Sequence, residues 1–427
     1  MWLAIAAAAA AQVSQEDSIR YTVRPGDTLS HLADRYLAAG HDWRDLKRIW
    51  HVPDPRRLPV GRTFLLPRSW LRWTPDKAQI VSVRGTVSVW VNGKPLAPLN
   101  GTVLVEGARI ATASNSFTTL ALTNGSRVAL PSQSDVTIVR LRTYAINNTI
   151  DYRFKLDRGT LDTKDTPLKN PDSGFIIRTP LAMTAVRGTE YAVSFDASRS
   201  ETGTAVFEGA VAVSGADGAH TQLVNERSGA VTAADGESVE FPLLPAPDLA
   251  NPKPVQADDL VTFDLDPLAE AKGYHAQLAS DAGFIDSFAE QDSASPHFEF
   301  TNVPNGNQFV RISAIGPGNL HGLRQSYSFS RRLASIKAQA ERTVDGFVFK
   351  WLGNGEGARH YRLQIFQNAA EGTPFVDEVG LSQSEATIRE LPPGVYLWRV
   401  GVTQTDGEGT IDNWTDLEKL TIVEQGN

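Results

Sequence analysis

"RTPLAMTAVRGTEYAVSF", running from Arg178 to Phe195, decides the fold of this 427-residue chain. Two apolar alternations flank the tripeptide Arg187-Gly188-Thr189, which recurs at Arg84-Gly85-Thr86 and Arg158-Gly159-Thr160. A related Glu208-Gly209-Ala210 opens another alternation. Such recurrence admits a ligand loop or a structural repeat. A phosphate loop needs several glycines between a strand and a helix, with a lysine, and no copy has that context. An adhesion motif would need Asp where each copy has Thr. Each copy instead precedes an alternating strand: "GTVSVWV", "GTLDT" and "GTEYAV". Glycine there supplies a positive φ or a bulge before the strand. Threonine suits the first pleated position. Arginine can lay its stem over the sheet edge with its head in water. The tripeptide reads as punctuation in a stacked or rolled sheet.

The same pattern extends outward over residues 77–241. "VSVRGTVSVWV", "FTTLALT", "DVTIV" and "TAVFEGAVAV" alternate between apolar and polar, and "VNGK" and "LTNGS" supply turns. This predicts an all-β module of many short strands. The Thr-Pro-x-Ala…Val-Arg-Gly-Thr block and the alternations around it resemble a FecR-like domain. The resemblance implies an all-β, solenoid-like fold. In the founding members that domain lies in the periplasm and relays a signal from an outer-membrane transporter, through a membrane-spanning helix, to a sigma factor. After the N-terminal run this chain has no stretch long and apolar enough to span a bilayer. A periplasmic binding or scaffolding domain is what carries over.

Upstream, "MWLAIAAAAAAQVSQEDS" (1–18) reads as an export signal. Its apolar run has the length of a signal core and is too short for a transmembrane helix. Residues 19–68 then read strand, helix, helix, strand. Leu29, Leu32, Ala33, Tyr36 and Leu37 share one helical face, and Asp27 or Thr28 can cap that helix. Trp43, Leu46, Ile49 and Trp50 form the apolar face of a second helix, opened by Asp42. "YTVRPGDTLSHLADRY" and "DPRRLPVGRTFLLP" resemble the opening and close of the lysin motif (LysM), a carbohydrate-binding module. The resemblance implies a βααβ fold and binding of N-acetylglucosamine-containing glycans such as peptidoglycan. The groove would lie between two loops, Gly26, Asp27, Thr28 and Leu29 on one side and Val52, Pro53, Asp54 and Pro55 on the other. Where the family commonly has an asparagine, this chain has Trp50-His51. At helical spacing Trp43 and Trp50 read as core rather than as sugar platforms.

Downstream, residues 242–256 are proline-rich and read as a semi-rigid linker. Two repeats follow, 257–333 and 334–425. "VPNGNQFVRISA" aligns with "LPPGVYLWRVGV" and Phe263 with Trp351 at one offset, and Tyr274 pairs with Tyr361 one residue out of step. Each predicts a β-sandwich with a core aromatic on an early strand, and they resemble fibronectin type III-like domains. Arg311 and Arg399 occupy matching strands and are expected to pair with carboxylates. The overall fold class is mainly β and multidomain.

Net charge is −8, divided between +4 over residues 1–73 and −12 over the rest. That balance argues against nucleic acid as a partner. With no cysteine, thiolate metal sites and disulfides are absent. The eight histidines show no metal-ligand spacing, and there is no G-x-S-x-G elbow. No enzyme, cofactor or metal is expected. The reading is an exported envelope protein that binds peptidoglycan and presents its β-modules to an envelope partner. A FecR-type cell-surface signalling regulator and a secreted adhesin or matrix protein are the alternatives.

Overall fold

A computed structural model describes residues 18–423 apart from 167, 169, 187, 219 and 408. The signal-like segment and Arg187 therefore lie outside the described residues, except for Ser18. The protein is mostly strand, 56% against 5% helix, and among the described residues both α-helices lie in the N-terminal domain. The chain divides into two compact units. The first comprises everything up to Asp248 together with Pro267–Pro296 and Val310–Ser326.

The N-terminal domain has the expected βααβ order: β1 (Ser18–Thr22), α1 (Leu29–Tyr36), α2 (Trp43–Trp50) and β2 (Thr63–Pro67). β1 and β2 pair antiparallel, Tyr21 opposite Phe64. The Thr28 hydroxyl accepts from the His31 N–H to start α1. Asp42 and Asp45 form a reciprocal cap on α2, and His51 ends it in the left-handed region at φ 52°. All five residues of the first apolar face are buried. Trp50 stacks on Phe64 at 4.3 Å and donates to the Leu65 carbonyl at 2.8 Å. That indole is core, as its spacing indicated. The domain's core is completed by Tyr144 and Ile146 of the central module. Asp172 reinforces this junction by accepting from Arg20 Nε at 2.8 Å and from the Arg20 backbone N–H at 2.9 Å.

The central module is a closed barrel whose strands pair as two walls. One wall runs Lys94–Leu96, Val87–Val91, Ala108–Thr112, Asp135–Tyr144, 149–158, Gly174–Arg178, Ala182–Val186, Ala210–Gly215 and Gln222–Asn225. The other runs Val103–Leu104, Ala78–Arg84, Phe117–Leu122, Arg127–Leu130, 159–164, Glu190–Asp196, Glu201–Glu208, Ser228–Thr232 and Ser238–Pro242. Alternation puts every second side chain between the walls, where Tyr152, Phe154, Phe175 and Tyr191 are all but fully buried.

The repeated tripeptides now have a place. Gly85, Gly159, Gly188 and Gly209 each sit where the chain passes from one wall to the other. Their φ values are +72°, +80°, +68° and +85°, the region that favours glycine. The corners are also crowded. The Thr86 N–H donates to Ser116 Oγ at 2.9 Å, and the Thr160 N–H donates to Ser134 Oγ at 3.0 Å. At the third copy the Gly188 N–H donates to Asp165 Oδ2 at 3.3 Å.

The first unit also contains the hairpin Gly273–Ala279 and Ser287–Ser293, which packs on the second wall. Thr119 Oγ1 donates to the Ile285 carbonyl at 2.8 Å, and the Ser132 N–H donates to Glu290 Oε1 at 3.0 Å. Arg84 stays exposed but is not free in water. Its guanidinium forms a two-pronged pair with Asp286, with Nε 2.7 Å from Oδ1, and Ser82 and Ser280 donate to the same carboxylate. The Arg84 hydrogen bond outweighs the cost of burial and holds Asp286 far below the ordinary carboxylate range. A depressed folded-state value stabilises the fold above the unfolded pKa, about 3.9, and that contribution fades as pH falls towards the folded value. Asp286→Asn should therefore cost about 1 kcal/mol at neutral pH, a modest sum because the pair is partly exposed. Its deficit relative to the native chain should shrink below about pH 4, readable from urea midpoints across pH.

The second unit comprises Leu249–Asp266, His297–Phe309 and the chain from Tyr327 onward. Phe263 packs edge-on to Phe300 and Phe329 at 6.2 and 5.3 Å. The C-terminal repeat is a sandwich. One sheet holds Ala334–Thr343, Gly346–Gly355 and Glu385–Ile388. The other holds Val376–Leu381, Ala358–Gln367, Gly394–Asp406, Gly409–Trp414 and Glu418–Ile422. Trp351, Tyr361 and Trp398 lie in its core. Arg399 departs from expectation. Its guanidinium donates to the Gln364 amide oxygen at 2.8 and 3.0 Å and lies over Trp414. An amide suffices there because the indole face supplies the rest of the cation's stabilisation. The first repeat has the same device, Arg311 donating to Gln277 at 2.6 Å, but adds a carboxylate, Asp162.

Candidate functional site

The two loops expected to form the glycan groove are brought together. The Leu29 N–H donates to the Pro55 carbonyl at 3.1 Å, tying one loop to the other. The buried side chains of Leu29 and Val52 anchor the loops to the core. Gly26, Pro53 and Asp54 are exposed, and Asp27, Thr28 and Pro55 are half-buried. Gly26 takes φ +89° with open space around it, so the turn requires glycine for its backbone alone. Asp27 Oδ2 accepts from Tyr21 Oη and the Arg24 N–H, both at 2.7 Å. Asp54 Oδ1 accepts from the Arg56 N–H at 3.0 Å. The loops are thus held by their own polar groups, and the rim carries exposed Arg24, Arg56 and Arg57. Such a groove can offer backbone N–H and C=O groups to an acetamido sugar.

Burial, then the Asp27 hydrogen bond, pushes the Tyr21 phenol well above its ordinary value, so it stays a donor at any physiological pH. Tyr21→Phe should cost about 1 kcal/mol through the lost hydrogen bond and loosen the Gly26–Leu29 loop. Thermal melting and glycan binding measured on the same variant would register both effects.

A second polar cluster lies in the first unit, where the sequence singled out no site. Asp162, on the 159–164 stretch of the second wall, lies 3.4 Å from Arg311 Nη2 and 2.9 Å from Arg324 Nη1. Burial works against its charge, but the two arginines outweigh it and keep its pKa below the usual value. Burial draws Arg311 down to about 10, still cationic at neutral pH. Beside them, His275 Nδ1 is 2.7 Å from Asp292 Oδ1, and the His275 and His321 rings are 4.7 Å apart. Burial holds the His321 imidazole neutral, at a pKa of about 3. The cluster borders a cleft of about 730 Å³ between the second wall and the hairpin. Its members are up to 162 residues apart in sequence, so no spacing announces them. The only hint was Arg311, through its place in the repeat.

Comparison with known proteins gives these parts their names. Residues 21–67 match the LysM domain, and residues 108–212 match the FecR protein family. The chain therefore carries a LysM domain joined to a FecR domain, a combination that points to the cell envelope. No curated protein matches the sequence. Among solved structures, a candidate anti-sigma factor from Parabacteroides distasonis aligns at 16% identity over 31% of this chain and 59% of its own, with TM-score 0.26. A two-domain fibronectin type III segment of chicken tenascin aligns at 16% identity over 42% of this chain and 99% of its own, with TM-score 0.21. This chain thus spans about three-fifths of the anti-sigma-factor chain, and likenesses this remote say nothing of activity. Among the described residues no helix is long and apolar enough to cross a membrane.

Proposed function

We propose that this is a non-catalytic, exported cell-envelope protein that binds peptidoglycan, or another N-acetylglucosamine-containing glycan, through its LysM groove. The FecR domain and the sandwiches act as a scaffold that presents surfaces to an envelope protein. The observation that carries the reading is the geometry of the LysM domain within the first unit. One flank is tied to the FecR domain through Arg20 and Asp172, while Gly26, Pro53 and Asp54 stay open to solvent. The domain can therefore engage a polymer without leaving its dock. The basic balance of residues 1–73 suits an anionic wall polymer. The FecR match favours a second reading, a regulator that relays envelope signals.

Isothermal titration of the full chain with N-acetylglucosamine oligomers tests the first reading. Saturable binding is expected, weakened at least about tenfold by Pro53→Trp, which fills the groove without touching the core. Absence of saturable binding by the native chain would overturn it.

A further inference from the structure

We propose that His275, Asp292 and His321 form a binding site for a divalent transition metal ion of the zinc class, lining the cleft between the FecR domain's second wall and the hairpin that packs on it. Each of the three side chains offers one ligand atom, and the three atoms lie within 4.8 Å of one another. A tetrahedral zinc ion with ligands at about 2.0–2.2 Å would hold neighbouring ligand atoms about 3.3 Å apart. The pair at 2.7 Å needs to open slightly, and separations that reach no more than 4.8 Å need to close towards that spacing, which χ rotations of the two imidazoles and the carboxylate can supply.

The backbone beneath the three residues is already fixed. His275 and Asp292 face each other directly across the antiparallel hairpin. His321 is pinned opposite Ile315 by an isolated bridge. The turn between them is closed by Gly316 N–H to the Leu320 carbonyl at 2.9 Å and Gly322 N–H to the Ala314 carbonyl at 2.7 Å. The ligands thus come from rigid strands and one braced turn, which is what a metal site with little reorganisation requires. Two imidazoles and a carboxylate select borderline ions such as Zn²⁺, Ni²⁺ or Co²⁺. They disfavour the all-oxygen preference of Ca²⁺ and Mg²⁺.

The neighbouring charge does not forbid a cation. Arg311 and Arg324 face the cluster, but Asp162 lies against both, and Glu190 and Glu290 add further negative charge near Arg311. Asp292 adds its own. All three ligand residues line the cleft, so an ion held there would keep its remaining position towards the cleft, open to water or to a donor group from a partner. The ion would also link the hairpin to the 315–322 turn.

The test uses the full chain without a histidine tag, dialysed against EDTA and titrated with ZnCl2 by calorimetry, with thermal melting alongside. One Zn²⁺ per chain and a rise in melting temperature with added Zn²⁺ are expected. Asp292→Asn and His321→Gln should each weaken binding by more than the about 10–100-fold that loss of an outer-shell partner costs. Asp292 is exposed, so its variant should melt as the metal-free native chain does, which separates lost ligation from lost folding. His297→Ala is the control: that side chain meets Asp264 and Glu299 but does not belong to the cluster, and binding should be unchanged. No stoichiometric Zn²⁺ binding by the native chain, or binding that survives both ligand substitutions, would overturn the proposal.

Discussion

Gly159→Val should be among the most damaging single substitutions in the FecR domain. Gly159 sits at φ +80°, and a Cβ added there would stand 2.6 Å from the Gln133 carbonyl oxygen and 2.6 Å from Ser134 Cα. Both neighbours are backbone, so neither can swing aside. The strained dihedral costs about 1–3 kcal/mol, and forcing the close approach costs a similar further amount. Together that is about 2–6 kcal/mol, a large share of the about 5–15 kcal/mol that holds a domain together. The long strand Thr149–Lys164 changes walls at this residue, so the damage should reach both sheets. Gly93→Ala is the matched control, with φ +75° and nothing within 4 Å of the added carbon. It should lose only about 1 kcal/mol. The difference between the two urea midpoints measures the close approach itself. Equal small losses would mean that the corner is not packed as described.

The second large effect is expected at Asp162. Asp162→Ala leaves Arg311 and Arg324 largely buried without their shared carboxylate. Removing one partner of a buried ion cluster typically costs about 3–5 kcal/mol, because the remaining charge is stranded. Two features temper this. Arg311 keeps Gln277 and the Phe284 face, and Arg324 keeps the Phe207 face at 4.0 Å. The larger share of the loss should therefore fall on Arg324. The damage should be local, seen as faster amide exchange in the hairpin Gly273–Ala279 and Ser287–Ser293 while the LysM amides stay protected. Replacing Asp162 with no change in hairpin exchange would show that the arginines are adequately solvated without it.

These two sites differ in how far the sequence announced them. The corner glycine was legible because its requirement is local. A positive φ before an alternating strand leaves Gly in a fixed place, and the repetition of Arg-Gly-Thr made it visible. The LysM helices were legible for the same reason. Leu29, Leu32, Ala33, Tyr36 and Leu37 write a helical period, and all five are buried. Alternation in a strand reveals which face is buried but not which strand lies alongside. It could not say that residues 149–158 and 159–164 belong to opposite walls. Nor could it say that Arg84 would meet Asp286, 202 residues away. The glycan loops stood on family resemblance, and the structure adds the Leu29–Pro55 hydrogen bond that joins them. The His275, Asp292 and His321 cluster left no trace in spacing. Its geometry is made by a hairpin and a turn that meet only after folding.

On the proposed function, the LysM groove should hold the protein on the cell wall. Co-sedimentation of the untagged full chain with washed peptidoglycan sacculi tests it most directly. The protein should pellet with sacculi and be released by soluble N-acetylglucosamine oligomers. Protein that stays in the supernatant at moderate salt, or that pellets but is not displaced by the oligomers, would contradict it.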